Sequence, residues 1–497
     1  MLIISRIMIH TDYPAYAYNK YKTSPFFLIS LEAWRRGLVV AFSRDIKNFT
    51  VSSAETTCIF SKSMVLDPEM GFRTHEICET KDETKQYLAR AGVPVARGRR
   101  FRPEIGDEVI VGYASEVGYP VVLKPTNGFK GKGVFSNIPD SATLRKMLVV
   151  VRRDMNYPDV MLEERVEGHD YRVFVIADRV EAALKRVPAH VTGNGRDPVR
   201  KLIKSKNAER MKNPHLEQKL IKMDPDLLNN IRNAGKSLRS VPKEGEILFL
   251  RVRGNVSTGG DSEDVTERLP KHVGETAIRA VKAIPGLNHA GVDVLYDEKN
   301  PDSPGVVIEI NSMAEFGGHL YPVIGEPRDI SSALIDHYFP ESVGRRDKNR
   351  SVFYDLDDLR NTLENNPETE VTLPSPPEGE WVRREIILSE RVQKTGFCRW
   401  AKKQALVLGL SGFVENQPDG SIRIVVGGGE EPVRTFEHLC GKGPQEAGVV
   451  QVASTGYDKP IIVGFRIIRK QSAFRVKTAH LVHAVRWRLT KLKSRFL

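Results

Sequence analysis

Val121–Gly133 reads VVLKPTNGFKGKG, and the architecture of the chain turns on it. An apolar run carries a buried strand to Lys124. A proline and three glycines (Gly128, Gly131, Gly133) then open a short turn before Val134 and Phe135 resume extended chain. Lys124 supplies a point charge, and the loop from Thr126 to Gly133 offers backbone N–H donors where glycine lets the chain approach a ligand closely. Two sides of a phosphate group can be neutralised this way. The stretch is not a P-loop, because Gly128-FKGKG lacks the lysine followed by Ser or Thr. Taken alone it also suits an ordinary glycine-rich hairpin.

Company comes from downstream. Gly291–Asp297 (GVDVLYD) and Val307–Asn311 (VIEIN) read as strands. Alternate side chains of a strand share a face, so Glu309 and Asn311 point the same way. Asp293 on a neighbouring strand completes an all-oxygen set suited to Mg²⁺. Acids on a solvated sheet would look similar, but Val292, Val294, Val307, Ile308 and Ile310 flank them, and charges among apolar strand residues are costly without a counter-ion. Between the two stretches, Val160–Tyr171 (VMLEERVEGHDY) reads as a strand leaving into a turn. Such a hinge suits adenine through its backbone and ribose through Asp170, although a surface turn has the same composition.

Lys81, the LKP lysine, the glycine-rich loop, the LEE hinge, the VDV aspartate and the EIN pair occur in the order seen in ATP-grasp ligases. More narrowly, Arg186–Ile203 (RVPAHVTGNGRDPVRKLI), Leu250–Thr266 (LRVRGNVSTGGDSEDVT), Ala290–Val294 and His319–Pro322 resemble the ATP-grasp portion of cyanophycin synthetases over roughly residues 76–340. D-alanine–D-alanine ligase and glutathione synthetase are more distant relatives of that fold. The resemblance implies that Lys81 and Lys124 contact ATP phosphates under a loop that includes Asn127, Gly128, Gly131 and Gly133. It places Glu163, Glu164 and Val166 in the adenine pocket, Asp170 at the ribose, and Asp293, Glu309 and Asn311 on Mg²⁺, for which Mn²⁺ could substitute. Lys124, Arg186 and Arg251 are its catalytic candidates, the arginines stabilising the transferring phosphoryl group or a substrate carboxylate. Glu309–Pro322 (EINSMAEFGGHLYP) departs from the family pattern at Met313, Glu315 and Phe316, and the peptide-ligase domain of Mur type is absent from the chain.

The activity implied is ATP-dependent carboxylate–amine ligation through an acylphosphate, with a small carboxylate and an amine (amino acid or peptide) as substrates. Stabilisation of charge by Mg²⁺ and the cationic side chains would carry the catalysis. A different class of function, a scaffold with a nucleotide-sensing ATP-grasp region, is the competing expectation, and intact Lys124, Asp293, Glu309 and Asn311 favour the ligase.

Ser389–Val426 (SERVQKTGFCRWAKKQALVLGLSGFVENQPDGSIRIVV), with Gly464–Ile467, resembles an acylphosphatase. That family uses an arginine at the end of a phosphate loop and an asparagine that orients water. Asn416 holds the asparagine position, but Cys398 holds the arginine position and Arg399 follows one residue later. One residue along a helix rotates a side chain by about 100°, so Arg399 is no direct replacement. Lys394 and Thr395 also displace small loop residues. The expectation is an inactive copy with Cys398 as a structural thiol.

The fold class expected is therefore α/β and α+β: an ATP-grasp fold with an N-terminal α/β lobe, then a ferredoxin-like βαββαβ acylphosphatase-like domain. The boundaries expected are 1–75 for the lobe, which opens with a strand at Leu2–Ile9 and a helix at Ser24–Arg36. They continue with 76–343 for the ATP-grasp domain, 344–382 for a linker bearing a short helix, 383–470 for the second domain and 471–497 for a basic tail. A length of 497 residues suits several domains. The formal charge of +12 is concentrated, because Arg469–Leu497 holds nine Lys or Arg and no acid. Phe474, Leu481, Val485, Leu489, Leu492 and Phe496 share one helical face of that tail. It suits the protein's own surface, an acidic partner or an anionic membrane surface. Nucleic acid is disfavoured for want of aromatic platforms. The four dispersed cysteines exclude a disulfide scaffold and fit a cytoplasmic protein. No apolar run approaches the ~20 residues of a membrane span, and a homo-oligomer is compatible with the sequence.

Overall fold

The computed structural model describes residues 24–126, 133–365, 370–389, 393, 395–444 and 451–468. The strand expected at Leu2–Ile9, loop residues Asn127, Gly128 and Gly131, and the tail helix lie outside the described residues. The chain forms two compact units, Met1–Asp347 with Arg360–Ser375, and Lys348–Leu359 with Pro376–Leu497.

In the first unit the helix Ser24–Arg35 stops before Gly37, which takes a φ of 76° that favours glycine. An antiparallel meander follows through Val39–Ser43, Asn48–Ser52, Thr57–Ser61 and Met64–Val65. Cross-strand pairing puts Phe42 opposite Phe49 and Phe49 opposite Phe60, so the rings stack at 5.4 and 5.0 Å. Glu370–Thr372, from the stretch expected as linker, pairs with the free edge of Val39–Ser43.

A four-stranded antiparallel sheet comes next, ordered Gly98–Phe101, Val160–Glu164, Val121–Pro125 and Phe135–Ile138. Alternation sends Val121 and Leu123 into a core with the helices Asp107–Val117 and Ser141–Val149, and Lys124 to the opposite face. Asp140 fixes the start of the latter helix by accepting from the Thr143 backbone N–H at 2.8 Å.

The third sheet runs Asp261–Asp264, Arg179–Val187, His169–Ile176, His289–Tyr296 and Val306–Asn311. Its two faces are chemically distinct. Tyr171, Val173, Val175, Ala183, Val292 and Val294 form a core with the helix Lys271–Lys282. The other face carries Asp170, Arg172, Arg186, Asp293, Glu309 and Asn311, because these residues are register partners or lie two apart on one strand. A small two-stranded sheet (His190–Thr192 with Ile247–Phe249) and the helices Val199–Arg210 and Pro225–Asn233 form a satellite core.

The second unit is a sheet ordered Gln451–Gly456, Val382–Ser389, Ile422–Gly428, Ser411–Asn416 and Phe465–Ile468, with the helices Phe397–Val407 and Glu430–Lys442. Its first four strands give the ferredoxin-like βαββαβ arrangement. Gln451–Gly456 supplies the last strand of that pattern, and Phe465–Ile468 adds a fifth strand parallel to Ser411–Asn416.

Candidate nucleotide and phosphoryl-transfer site

Lys81 opens the helix Lys81–Arg90, and Lys85 follows one turn later on the same side. Both line a narrow cleft together with Lys124, Glu163 and Glu309, over a floor of Leu88, Val95, Val307 and Ile310. Glu163 sits between two ammonium groups: Lys124 Nζ lies 2.5 Å from Oε2 and Lys85 Nζ 2.5 Å from Oε1. Burial pushes the Glu163 carboxyl up, but the two lysines outweigh it and hold the group below its ordinary value. Burial depresses the Lys85 ammonium, although Glu163 pulls the other way. Lys85 was not singled out in the sequence, yet its i+4 spacing from Lys81 was the available signal.

On the polar sheet face, register places Asp293 opposite both Arg172 and Glu309, and Asn311 opposite Gly291. Arg172 grips Asp293 through Nε and, at 3.2 Å, through Nη2. Arg186 Nη1 lies 3.0 Å from the same carboxylate and 3.4 Å from Asp170. Against burial, the two guanidinium groups hold Asp293 low. Burial pushes Asp170 up to about 6, opposed by Arg186 and reinforced by the Asp293 charge. Arg172, two residues beyond Asp170, is a second residue that the sequence reading missed.

Among the described residues no cluster of three His, Cys, Asp or Glu side chains stands ready for a metal ion. The oxygen set expected for Mg²⁺ nevertheless fits a hard cation. Glu309 forms no ion pair among the described residues, and the amide Nδ2 of the half-buried Asn311 is shielded from solvent with no hydrogen-bond partner among them. The oxygen and nitrogen of such a group are assigned rather than observed, so it can turn its oxygen to a cation. Asp293 is the committed member, held by its two arginines. Nearby, His319 is buried with neither ring nitrogen hydrogen-bonded among the described residues, and burial beside Arg172, Arg186 and Arg328 pushes it down to about 3. Phe316, at the departure from the family pattern, packs edge-on against Phe174 of this face at 6.1 Å.

Other expected residues fall elsewhere. Glu164 points away from the cavity, as the neighbour of Glu163 in a strand must, and accepts from the Arg97 backbone N–H at 2.6 Å. Val166 and Asp170 do not line the cavity, and Gly133 is at the end of the turn, against Pro125. Arg251, expected at the transferring phosphoryl group, is spent on a helix start. Its Nη1 lies 2.6 Å from Asp226 and its Nη2 2.5 Å from Asp224, the residue that caps Pro225–Asn233.

In the second unit Cys398 Sγ faces Asn416 Oδ1 at 3.5 Å, whereas Arg399 is exposed. The helical rotation thus puts the thiol, not the guanidinium, beside the asparagine. Burial pushes the thiol pKa up, which leaves little thiolate.

Residues 80–186 match the family model for the carbamoyl-phosphate synthase L chain ATP-binding domain, and residues 384–467 match the acylphosphatase family model. The chain joins an ATP-grasp region to an acylphosphatase-like domain. Its ATP-grasp region is similar to cyanophycin synthetase of Nostoc sp., at 35% identity over 276 residues, 54% of this chain and 30% of that protein. It is likewise similar to the glutathione biosynthesis bifunctional protein GshAB of Listeria innocua, at 33% identity over 265 residues, 52% of this chain and 34% of that protein. The bifunctional glutathione synthetase from Pasteurella multocida aligns in structure at 26% identity and a TM-score of 0.45, covering 59% of this chain and 40% of that one. The chain thus spans about a third of the length of the curated relatives it matches.

Proposed function

We propose that the ATP-grasp region is an ATP-dependent carboxylate–amine ligase. The observation that carries this reading is the position of Glu309, which lines one cavity with Lys81, Lys124 and Glu163 and pairs in register with Asp293 on the polar face. Glu309 thus belongs both to the lysine-lined cleft and to the sheet face that bears Asp293, which supports the reading. ATP use follows from the family likeness. Asp293, Glu309 and Asn311 would hold Mg²⁺, which neutralises phosphate oxygens when bound.

Lys81 and Lys124 bind the phosphates, and Glu163 fixes where the Lys124 ammonium sits. A substrate carboxylate oxygen attacks the γ-phosphorus, the bond to the β-phosphate oxygen breaks, and ADP leaves an acylphosphate. An amine then attacks the acyl carbon, the bond from that carbon to the phosphate oxygen breaks with its electron pair leaving on phosphate, and the amine nitrogen loses a proton to give the amide. The cationic side chains around Asp170 and Asp293 suit anionic substrate groups, as in an amino acid or a peptide. The acylphosphatase-like unit serves without hydrolysing acyl phosphates, because its arginine position carries a neutral thiol. Among the described residues no helix is long and apolar enough to cross a membrane, and all four cysteines are free. Both agree with a cytoplasmic setting.

The test is ADP release screened over amino acids and dipeptides, with mass analysis of products. Lys124→Ala and Glu309→Gln should each abolish substrate-dependent ADP release without loss of fold. Near-normal turnover in either variant rejects the assignment.

A further inference from the structure

Leu250–Asn255 carries two arginines, and the structure treats them differently. Arg251 spends its donors on Asp226, Asp224 and the carbonyls of Thr258 and Lys222. Arg253 makes one hydrogen bond among the described residues: its Nη2 donates to the Val134 carbonyl at 2.6 Å. Burial depresses its pKa, and Asp226, which pulls the other way, is already ion-paired with Arg251 at 2.6 Å. A half-buried guanidinium with no carboxylate of its own among the described residues is an anion site in waiting.

The backbone fixes where that guanidinium stands. A Cβ on Gly254 would come within 2.3 Å of the Arg186 carbonyl oxygen, so only glycine lets this loop lie flush on the Arg179–Val187 strand. On the other side, Val134 follows Gly133, whose own Cβ would sit 3.2 Å from Pro125, the residue after Lys124. Arg253 therefore spans from the strand that bears Arg186 to the end of the strand that bears Lys124. With Arg251 consumed, we propose that Arg253 is the residue of this loop that binds the nucleotide's polyphosphate, donating its unused N–H groups to phosphate oxygens. This deepens the ligase reading above and rests on it.

The experiment titrates ATP with Mg²⁺ into the full-length wild type, Arg253→Ala and Arg253→Lys, each with and without millimolar guanidinium chloride, and records thermal midpoints alongside. Arg253→Ala should weaken ATP binding by at least about tenfold, as befits loss of charge-assisted hydrogen bonds. Guanidinium should restore part of that loss, and the lysine variant should fall between. A change under about threefold overturns the proposal. A loss that neither guanidinium nor lysine recovers also overturns it, because a guanidinium that only ties the Val134 carbonyl predicts that pattern. A wild type that binds no ATP would overturn the ligase reading itself, whereas equal binding by wild type and Arg253→Ala removes only the role of Arg253.

Discussion

Glu163→Gln should be among the most damaging single changes in the first unit. The carboxylate is buried between Lys85 and Lys124, with side-chain exposures of 7%, 16% and 10% respectively. Removing the central charge leaves two ammonium groups in a shared, poorly solvated space, and breaking a buried pair in this way costs about 3–5 kcal/mol. Lys85 limits the damage, because burial already depresses its pKa and it can shed its proton. Lys85→Met is milder, since Glu163 keeps Lys124; losing one charged hydrogen bond costs about 1.5–3 kcal/mol. The double variant should therefore cost less than the two single changes added together. The pH dependence has a definite sign. Glu163 is held below its ordinary value, so its contribution is present above the unfolded pKa and disappears as pH falls through the lower folded one. Urea unfolding of the four proteins, followed by a signal from the first unit, gives the coupling energy directly. A Glu163→Gln cost under about 1 kcal/mol, or a Lys85→Met cost exceeding it, would refute the charge clamp.

Two further outcomes are expected. Asp170, pushed up to about 6, contributes stability that is present below the unfolded carboxyl pKa and fades as pH rises through the folded one; carboxyl-carbon NMR should find that midpoint, and Asp293→Asn should lower it by removing a like charge. In the second unit the wild-type chain should leave benzoyl phosphate unhydrolysed, whereas Cys398→Arg, which puts a guanidinium at the helix position whose thiol lies 3.5 Å from the Asn416 side chain, should raise hydrolysis by about tenfold or more; no gain would show that the loop, rather than the missing arginine, is what silences the site.

The legible parts of this molecule were those that strand alternation governs. Val121–Pro125, Val160–Glu164 and the Asp293, Glu309 and Asn311 set sit on the elements expected of them, because a period of two fixes which side chains share a face. The helix at Ser24 was legible for a similar reason, with glycine marking its end. Pairing was not legible. No local signal says that Glu370–Thr372 returns to the Val39–Ser43 edge, or that Gln451–Gly456, rather than Phe465–Ile468, is the fourth ferredoxin strand. Competition among charges was equally hidden. Arg251 and Arg253 look equivalent in RVRGN, and only the cap residue Asp224 and its neighbour Asp226 decide which guanidinium is consumed.

These charge partners also bear on how a nucleotide can enter. Lys124 rests on Glu163, and Asp293 rests on Arg172 and Arg186. In the ligase reading Lys124 and Asp293 must then each loosen a protein partner to take a phosphate or a cation, and the exchange is favourable only if the partner left behind stays neutralised. Lys85 does this for Glu163, and Arg172 and Arg186 remain as counter-charges for Asp170 and the incoming phosphates. Glu309 needs no such exchange with the described residues, among which it forms no ion pair. In that reading Glu309 and the Asn311 carboxamide would be available to hold a cation, and Asp293 would become available once an anion occupies its arginines. On this arrangement metal and nucleotide bind better together than either does alone, by the reciprocity that links any two coupled ligands.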